Sequence, residues 1–314
     1  MLALSTSWQS GGPITAGQML AALTHTGVKG VELSYQISEN LYRQLKGPLK
    51  SAGFEVVSLH NYFPRPSSSP PLEGSGDLFL LSSPHKQERQ DAIRFTAKTI
   101  EHAAELGAKA VVLHGGAVEM NHEMQVLYRF FHSRQLHSQD AQIFIRRKLK
   151  ELDSRKPRYL DSLLVSLERL LPVAEKRGVR LGLENRYHYH ELPGPQDFRA
   201  IFEKFKGAPL GYWHDTGHAH AAEILGLIPK NALLQNYANQ LLGTHLHDAV
   251  GLNDHNLPGS GEIDFAALKP FLKADTIKVI ELKPGIPSKD VLDGIQFLDA
   301  LFIPLRFGVH LKPR

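Results

Sequence analysis

Along the chain, short continuous apolar runs alternate with longer stretches in which apolar residues recur at three-to-four spacing. The short runs fall at residues 2–7, 30–34, 55–59, 110–113, 180–183, 210–213, 242–246 and 277–282. Such runs, apolar throughout or apolar alternating with small residues as in RLGL, fit strands buried on both faces. The stretches between them, such as AGQMLAALTHTG, RFTAKTIEHAAELGA and LLVSLERLLPVAEKRG, read as helices with a glycine at or near the stop. Eight strand-then-helix units predict a closed (β/α)8 TIM barrel, an α/β fold forming a single domain over residues 1–314. An open doubly wound sheet would need a glycine-rich phosphate loop after its first strand. The close pair Gly259 and Gly261 lacks the flanking strand and helix of such a loop.

Two extended loops, after the third and fourth strands, interrupt the rhythm. Residues 64–84, PRPSSSPPLEGSGDLFLLSSP, are too rich in serine, proline and glycine for regular structure and read as a lid or a surface excursion. Residues 117–158 are helical in pattern, with Phe130, Phe131, Ile143, Phe144 and Ile145 available to pack. In a barrel both insertions emerge at the carboxyl end of the strands, the face that carries active sites.

Composition narrows the chemistry. At 42% hydrophobic residues the chain can bury a large core, and with no cysteine it has no disulfide, thiolate metal site or cysteine nucleophile. No apolar run reaches the roughly 20 residues of a membrane span, and the start, MLALSTSWQSGG, lacks the pattern of a secretory signal. A cytoplasmic protein without membrane partners is expected. The net charge of +4 owes much to RRKLKELDSRKPR, residues 146–158, which reads as a solvated helix face.

The 17 histidines are placed more tellingly, because many fall at predicted strand ends. His60 follows VVSL, His114 follows AVVL and Glu184 follows RLGL; Asp215 and His218 follow LGYW, His245 and His247 fall in GTHLHDA, and Glu281 falls in VIELKP. Singly, each reads as a satisfied core histidine, an ion pair or a cap. Jointly, they converge on one cavity if the strands close into a barrel, and a buried cluster of carboxylates and imidazoles needs a cation to balance it. Divalent metal supplies one, held by nitrogen and oxygen. Just beyond Glu184, Arg186, Tyr187 and His188 offer polar contacts to a polyhydroxylated or anionic small molecule, and Lys283 shares a strand face with Glu281.

The motifs LEN at Glu184, DTGHA at Asp215 and His218, HLHD at His245, DHNLPGSGEID at His255 and ELKP at Glu281, in this order, resemble the xylose isomerase-like TIM-barrel superfamily. That group contains sugar isomerases, tagatose- and psicose-type epimerases, inosose dehydratases and endonuclease IV, and the resemblance runs along essentially the whole chain. It implies a metal-dependent isomerase or epimerase of a sugar, sugar phosphate or inositol-like compound, acting through a metal-stabilised enediolate in carbohydrate metabolism. The implied metal ligands are Glu184, Asp215, His245 and Glu281, with Glu184 and Glu281 also catalytic. The metal is Zn2+ or Mn2+, with Mg2+ or Co2+ also compatible. His247 is the alternative ligand to His245, which is preferred because Asp248 stands three positions after it. If His245 is the ligand, His247 joins Arg186, His188 and Lys283 as substrate contacts.

Endonuclease IV, which cleaves abasic DNA, is the alternative. Its additional metal-ligating histidines match His60, His114, His218 and His255 in position. However, Asn253 stands where the resemblance places an aspartate, and Asp254 is out of phase with it. At most two cations and no nucleic-acid partner are therefore expected.

Overall fold

The computed structural model describes residues 1–67 and 74–302. Eight parallel strands close into a barrel in sequential order: β1 (Leu2–Ser5), β2 (Gly30–Leu33), β3 (Glu55–His60), β4 (Ala110–Leu113), β5 (Arg180–Glu184), β6 (Leu210–Asp215), β7 (Leu241–Leu246) and β8 (Ile277–Ile280). All eight predicted strands are present. The first predicted run ends early because Ser5 caps a 3-10 turn, Thr6–Gln9. The sixth runs on through His214 to Asp215, whose side chain then accepts from the His218 amide and caps the helix Thr216–Ile224.

The barrel interior is filled by Ala3, Val57, Ala110, Val112, Trp213, Leu242, Ile277 and Val279. Trp213 is fully buried and has room because its neighbours are glycines. A Cβ at Gly182 would lie 2.7 Å from its ring, and one at Gly243 only 2.3 Å. The indole also meets the His245 ring edge-on at 5.3 Å, so it forms the floor on which the strand-end residues stand. Outside the barrel, helices bury their apolar stripes against the strands in one large core that includes Leu45, Ile100, Leu167, Ile201, Val291 and Leu298.

Both insertions are structured where described. Residues 68–73 of the Ser/Pro segment lie outside the described residues. The remainder is pinned to the barrel: the Tyr62 hydroxyl donates to Phe79 O, Phe79 stacks on Phe95 at 5.0 Å, and Ser166 Oγ donates to Leu81 O at 2.7 Å. In the second insertion, Met124, Leu127, Phe144 and Ile145 form a satellite core with Phe130 and Phe131 packed on it. Ile143, expected to pack, is instead exposed. The two helical patterns expected across 117–177 are joined from Gln139 onward into one helix of 39 residues, Gln139–Arg177, which accommodates Pro157 and Pro172 and stops at the left-handed Gly178.

Candidate metal centre

Four buried side chains meet above Trp213. Glu184 and Asp215 end β5 and β6, His245 lies on β7, and Glu281 directly follows β8. Their ligating atoms all lie within 4.8 Å of one another. His245 Nδ1 is 2.8 Å from Glu184 Oε1, 3.0 Å from Glu281 Oε2 and 3.8 Å from Asp215 Oδ2. On the other side of the ring, Nε2 lies 3.2 Å from Glu32 Oε2, which also accepts the Ser58 hydroxyl at 2.7 Å. With Nε2–H committed to Glu32, Nδ1 is the atom that faces three carboxylates.

The electrostatics calls for a cation at that point. Three carboxylates crowd a water-poor site, and the imidazoles that face them must otherwise hold protons to balance their charge. Burial alone would lower the His245 pKa, but Glu281, Glu32 and Glu184 hold it well above the ordinary imidazole value. Burial likewise works against ionisation of Glu184 and Glu281, yet His245 and the surrounding imidazoles hold both well below the usual carboxylate range. A divalent cation beside Nδ1 supplies the same compensation without a proton on that nitrogen. The donor set of oxygen and imidazole suits Zn2+, Mn2+, Co2+ or Mg2+.

Two further groups flank this core. Glu184 Oε2 lies 3.0 Å from His114 Nε2 and 3.5 Å from His60 Nε2, so its two oxygens face different imidazoles. His60 Nδ1–H donates to Asn61 O at 3.0 Å, and His114 Nδ1 lies 2.9 Å from Asp77 Oδ2. In both rings it is therefore Nε2 that turns inward. Burial and Arg186 pull the His114 pKa down, but Asp77 and Glu184 push it up to about 9. On the opposite flank, His218, Asp254 and His255 converge. His218 Nδ1–H donates to Asn185 O at 3.0 Å, leaving Nε2 4.0 Å from Asp254 Oδ2, and His255 Nδ1 is 3.3 Å from the same oxygen.

This last group corrects the expectation drawn from Asn253. His255 takes a left-handed backbone, φ 55°, in a hairpin whose register shifts between Asp248 and Val250. The kink brings the carboxylate of Asp254 to the two histidines that phase had denied it. Asn253 instead lies 3.5 Å from Lys283 Nζ.

Residues 20–301 match the family described as xylose isomerase-like TIM barrel. The chain belongs to that family. Curated relatives are covered over about half their length: 29% identity over 142 residues, 48% of the relative and 42% of this chain, for the Methanocaldococcus jannaschii protein MJ1311. Among solved structures, 3-keto-D-glucoside 4-epimerase YcjR from E. coli is 18% identical with a TM-score of 0.66, covering 95% of this chain and 98% of that one. The TTHB071 protein from Thermus thermophilus, from a crystal soaked with ZnCl2, is 23% identical with a TM-score of 0.57, covering 96% and 97%.

Within this xylose isomerase-like barrel the residues first assigned to substrate fare differently. His247 meets Asp215 and His255, a group that could itself hold a cation; its Nδ1 accepts the His255 amide at 2.9 Å, and its Nε2 lies 2.9 Å from Asp215 Oδ2. It orients a carboxylate. The Arg186 side chain is buried, with Nη2 2.7 Å from Asp77 and 3.4 Å from Glu191, while its Nε and Nη1 meet no hydrogen-bond partner among the described residues. His188 pairs with Glu191 through both its amide and its ring. Arg186 and His188 line a cavity of about 160 Å³ walled mainly by apolar residues such as Leu152, Phe198 and Leu227. Lys283 reaches Asn256 at the rim and not the carboxylates.

Sequence reading missed four residues. Glu32 is a charge in the middle of the short apolar run GVEL, a signal that could have flagged it. Tyr35 sits edge-on to His60 at 4.9 Å, where burial and then Glu281 and Glu184 push its hydroxyl pKa up. Asn185 ties β5 to β6 through Asp215 N and O. Asp77 was hidden in the Ser/Pro segment.

Proposed function

We propose that this chain is a divalent-metal-dependent isomerase or epimerase of a sugar or sugar-like hydroxy-carbonyl compound. The observation that carries the reading is the convergence of Glu184, Asp215, Glu281 and His245 Nδ1 on one buried point, with Glu32 holding the far side of the ring. The choice of a sugar leans on fold-level analogy with barrels such as the keto-glucoside epimerase. A bound divalent cation would polarise a carbonyl and so acidify the hydroxyl-bearing carbon beside it. Glu184 and Glu281, whose oxygens both lie within 3.0 Å of His245 Nδ1, are the groups that take a proton from that carbon and return it. Asp215 is held by His247 and by the His218 amide and keeps its place while the proton moves. A soluble cytoplasmic setting is part of the same reading; among the described residues no helix is long and apolar enough to cross a membrane.

The test is a panel of ketoses and keto-glycosides incubated with metal-loaded protein in D2O. Deuterium should enter the carbon beside the carbonyl. A full panel with no exchange above the metal-only control would sink the reading.

The two histidines of HLHD should separate in an equilibrium titration with Zn2+ or Mn2+. His245→Ala is expected to remove stoichiometric binding at the core. His247→Ala, which deletes a support of Asp215 and the acceptor of the His255 amide, should cost about 10–100-fold in affinity. The opposite ranking would transfer the ligand role to His247.

A second reading, a phosphodiesterase with several cations, is favoured by one observation: imidazoles flank the carboxylate core on both sides, with Asp254 completing one flank.

A further inference from the structure

The segment after β3 delivers a carboxylate and a close backbone approach to one edge of the cluster. Asp77 Oδ2 lies 2.9 Å from His114 Nδ1 and 2.7 Å from Arg186 Nη2, so a single oxygen joins the end of β4 to the chain just past β5. The turn that places it is local: Ser75 Oγ accepts the Asp77 amide at 3.0 Å. Gly76, between them, lies against the rings themselves. A Cβ there would fall 2.6 Å from His114 Cε1 and Nδ1 and 3.0 Å from His60 Cε1, so only a residue without a side chain lets the backbone come this near. The His60 and His114 rings meet edge-on at 4.9 Å beneath it.

We propose that Asp77 is a positioning residue that commits Nδ1 of His114 to its own carboxylate, so that Nε2 is the ring atom offered, with His60 Nε2 and Glu184 Oε2, to a divalent cation. The inference rests on the cation-binding part of the functional reading. Its logic is that of Glu32 behind His245: a carboxylate on one imidazole nitrogen fixes the tautomer and the ring plane and makes the other nitrogen a better ligand. Asp77 also ties Arg186 to the same point, so the described part of the segment is a built wall of the site.

The experiment is a Co2+ titration of the full chain followed by its visible spectrum, with histidine-labelled protein loaded with Zn2+ and read by 15N NMR. Wild type is expected to show at least two classes of cation site. Asp77→Ala should weaken one class about 10–100-fold while leaving the class at Glu184, Asp215, His245 and Glu281 unchanged. Asp77→Asn, whose amide oxygen still accepts from Nδ1–H, should keep most of that affinity, which separates ring orientation from charge. In the Zn2+-loaded wild type His114 should be protonated at Nδ1, and in Asp77→Ala that preference should be lost. Should Asp77→Ala fail to fold, Gly76→Ala serves instead, because its methyl group would press on His114 and weaken the same class. Unchanged affinities, an unchanged His114 tautomer, or uptake of a single cation by wild type would each overturn the inference. Two classes that respond to Asp77 in a protein that exchanges no sugar proton would sink the isomerase reading and leave this inference standing.

Discussion

Glu184→Gln is expected to lower turnover by about 10²–10⁴-fold, the range a positioned acid/base group supplies, and to remove most of the bound cation as well. The side chain is nearly isosteric, so packing at the end of β5 changes little, and the loss is one of charge and of acceptor atoms. Glu184 is used on both oxygens: Oε1 faces His245 at 2.8 Å, and Oε2 faces His114 at 3.0 Å and His60 at 3.5 Å. An amide can offer only one acceptor to these partners and cannot move a proton. Glu281→Gln should lose a similar factor in turnover but disturb fewer neighbours, since Glu281 Oε2 faces His245 and, at 3.7 Å, His255.

Folding and binding can be separated in the same experiment. Cation at 100-fold above its dissociation constant should stabilise wild type by about 2.7 kcal/mol through mass action, seen as a rise in melting temperature that chelator reverses. Glu184→Gln should melt cooperatively yet show little of that rise. Full turnover together with an undiminished cation-linked shift would refute the assignment of Glu184.

The barrel and the four side chains that meet at its centre were legible for one reason. In a closed parallel barrel the residue at the carboxyl end of each strand points toward a common axis, so finding where an apolar run stops also finds the site. The β5 run RLGL stops at Glu184 and the β6 run LGYW gives way to His214 and Asp215, and both carboxylates stand where that rule puts them. What escaped was set by geometry that a run of letters does not carry. Asp254 reaches His218 because His255 is left-handed, a conformation that no apolar pattern encodes. Asp77 reaches His114 because a turn held by Ser75 packs Gly76 against two rings, whereas composition alone marked that segment as irregular. The helix Gln139–Arg177 runs through two prolines because its tertiary contacts outweigh their local cost. In HLHD the two histidines stand two residues apart, and the letters do not carry the hydrogen bond from the His255 amide to His247 Nδ1 that sets their surroundings apart.

The protein is expected not to incise duplex DNA carrying an abasic site, with Zn2+ or Mn2+ loaded. Cation number no longer argues this, because Asp254 occupies the place that Asn253 cannot fill and the flanking groups could hold more than one ion. The surface argues it instead. A nuclease must first hold a polyanion, which takes unpaired lysines and arginines around the mouth of the barrel. In the richest basic segment of this chain, residues 146–158, four of the seven basic side chains are paired within the molecule. Lys148 pairs with Glu123 and Glu151, Arg147 with Glu123, Arg155 with Glu151, and Lys156 with Asp197. At the rim, Arg186 is buried between Asp77 and Glu191, and Lys283 is turned onto Asn256. A protein that contacts 6–10 phosphates loses about 10³–10⁵ in affinity between 50 and 200 mM salt; this one should bind an abasic duplex weakly at 50 mM and lose less than about tenfold over that range. Electrophoresis of the duplex after incubation with metal-loaded protein, beside the Glu184→Gln variant, reads the outcome. Efficient incision that the variant abolishes would replace the isomerase reading with the phosphodiesterase one, because the same carboxylate would then be shown to serve phosphate chemistry.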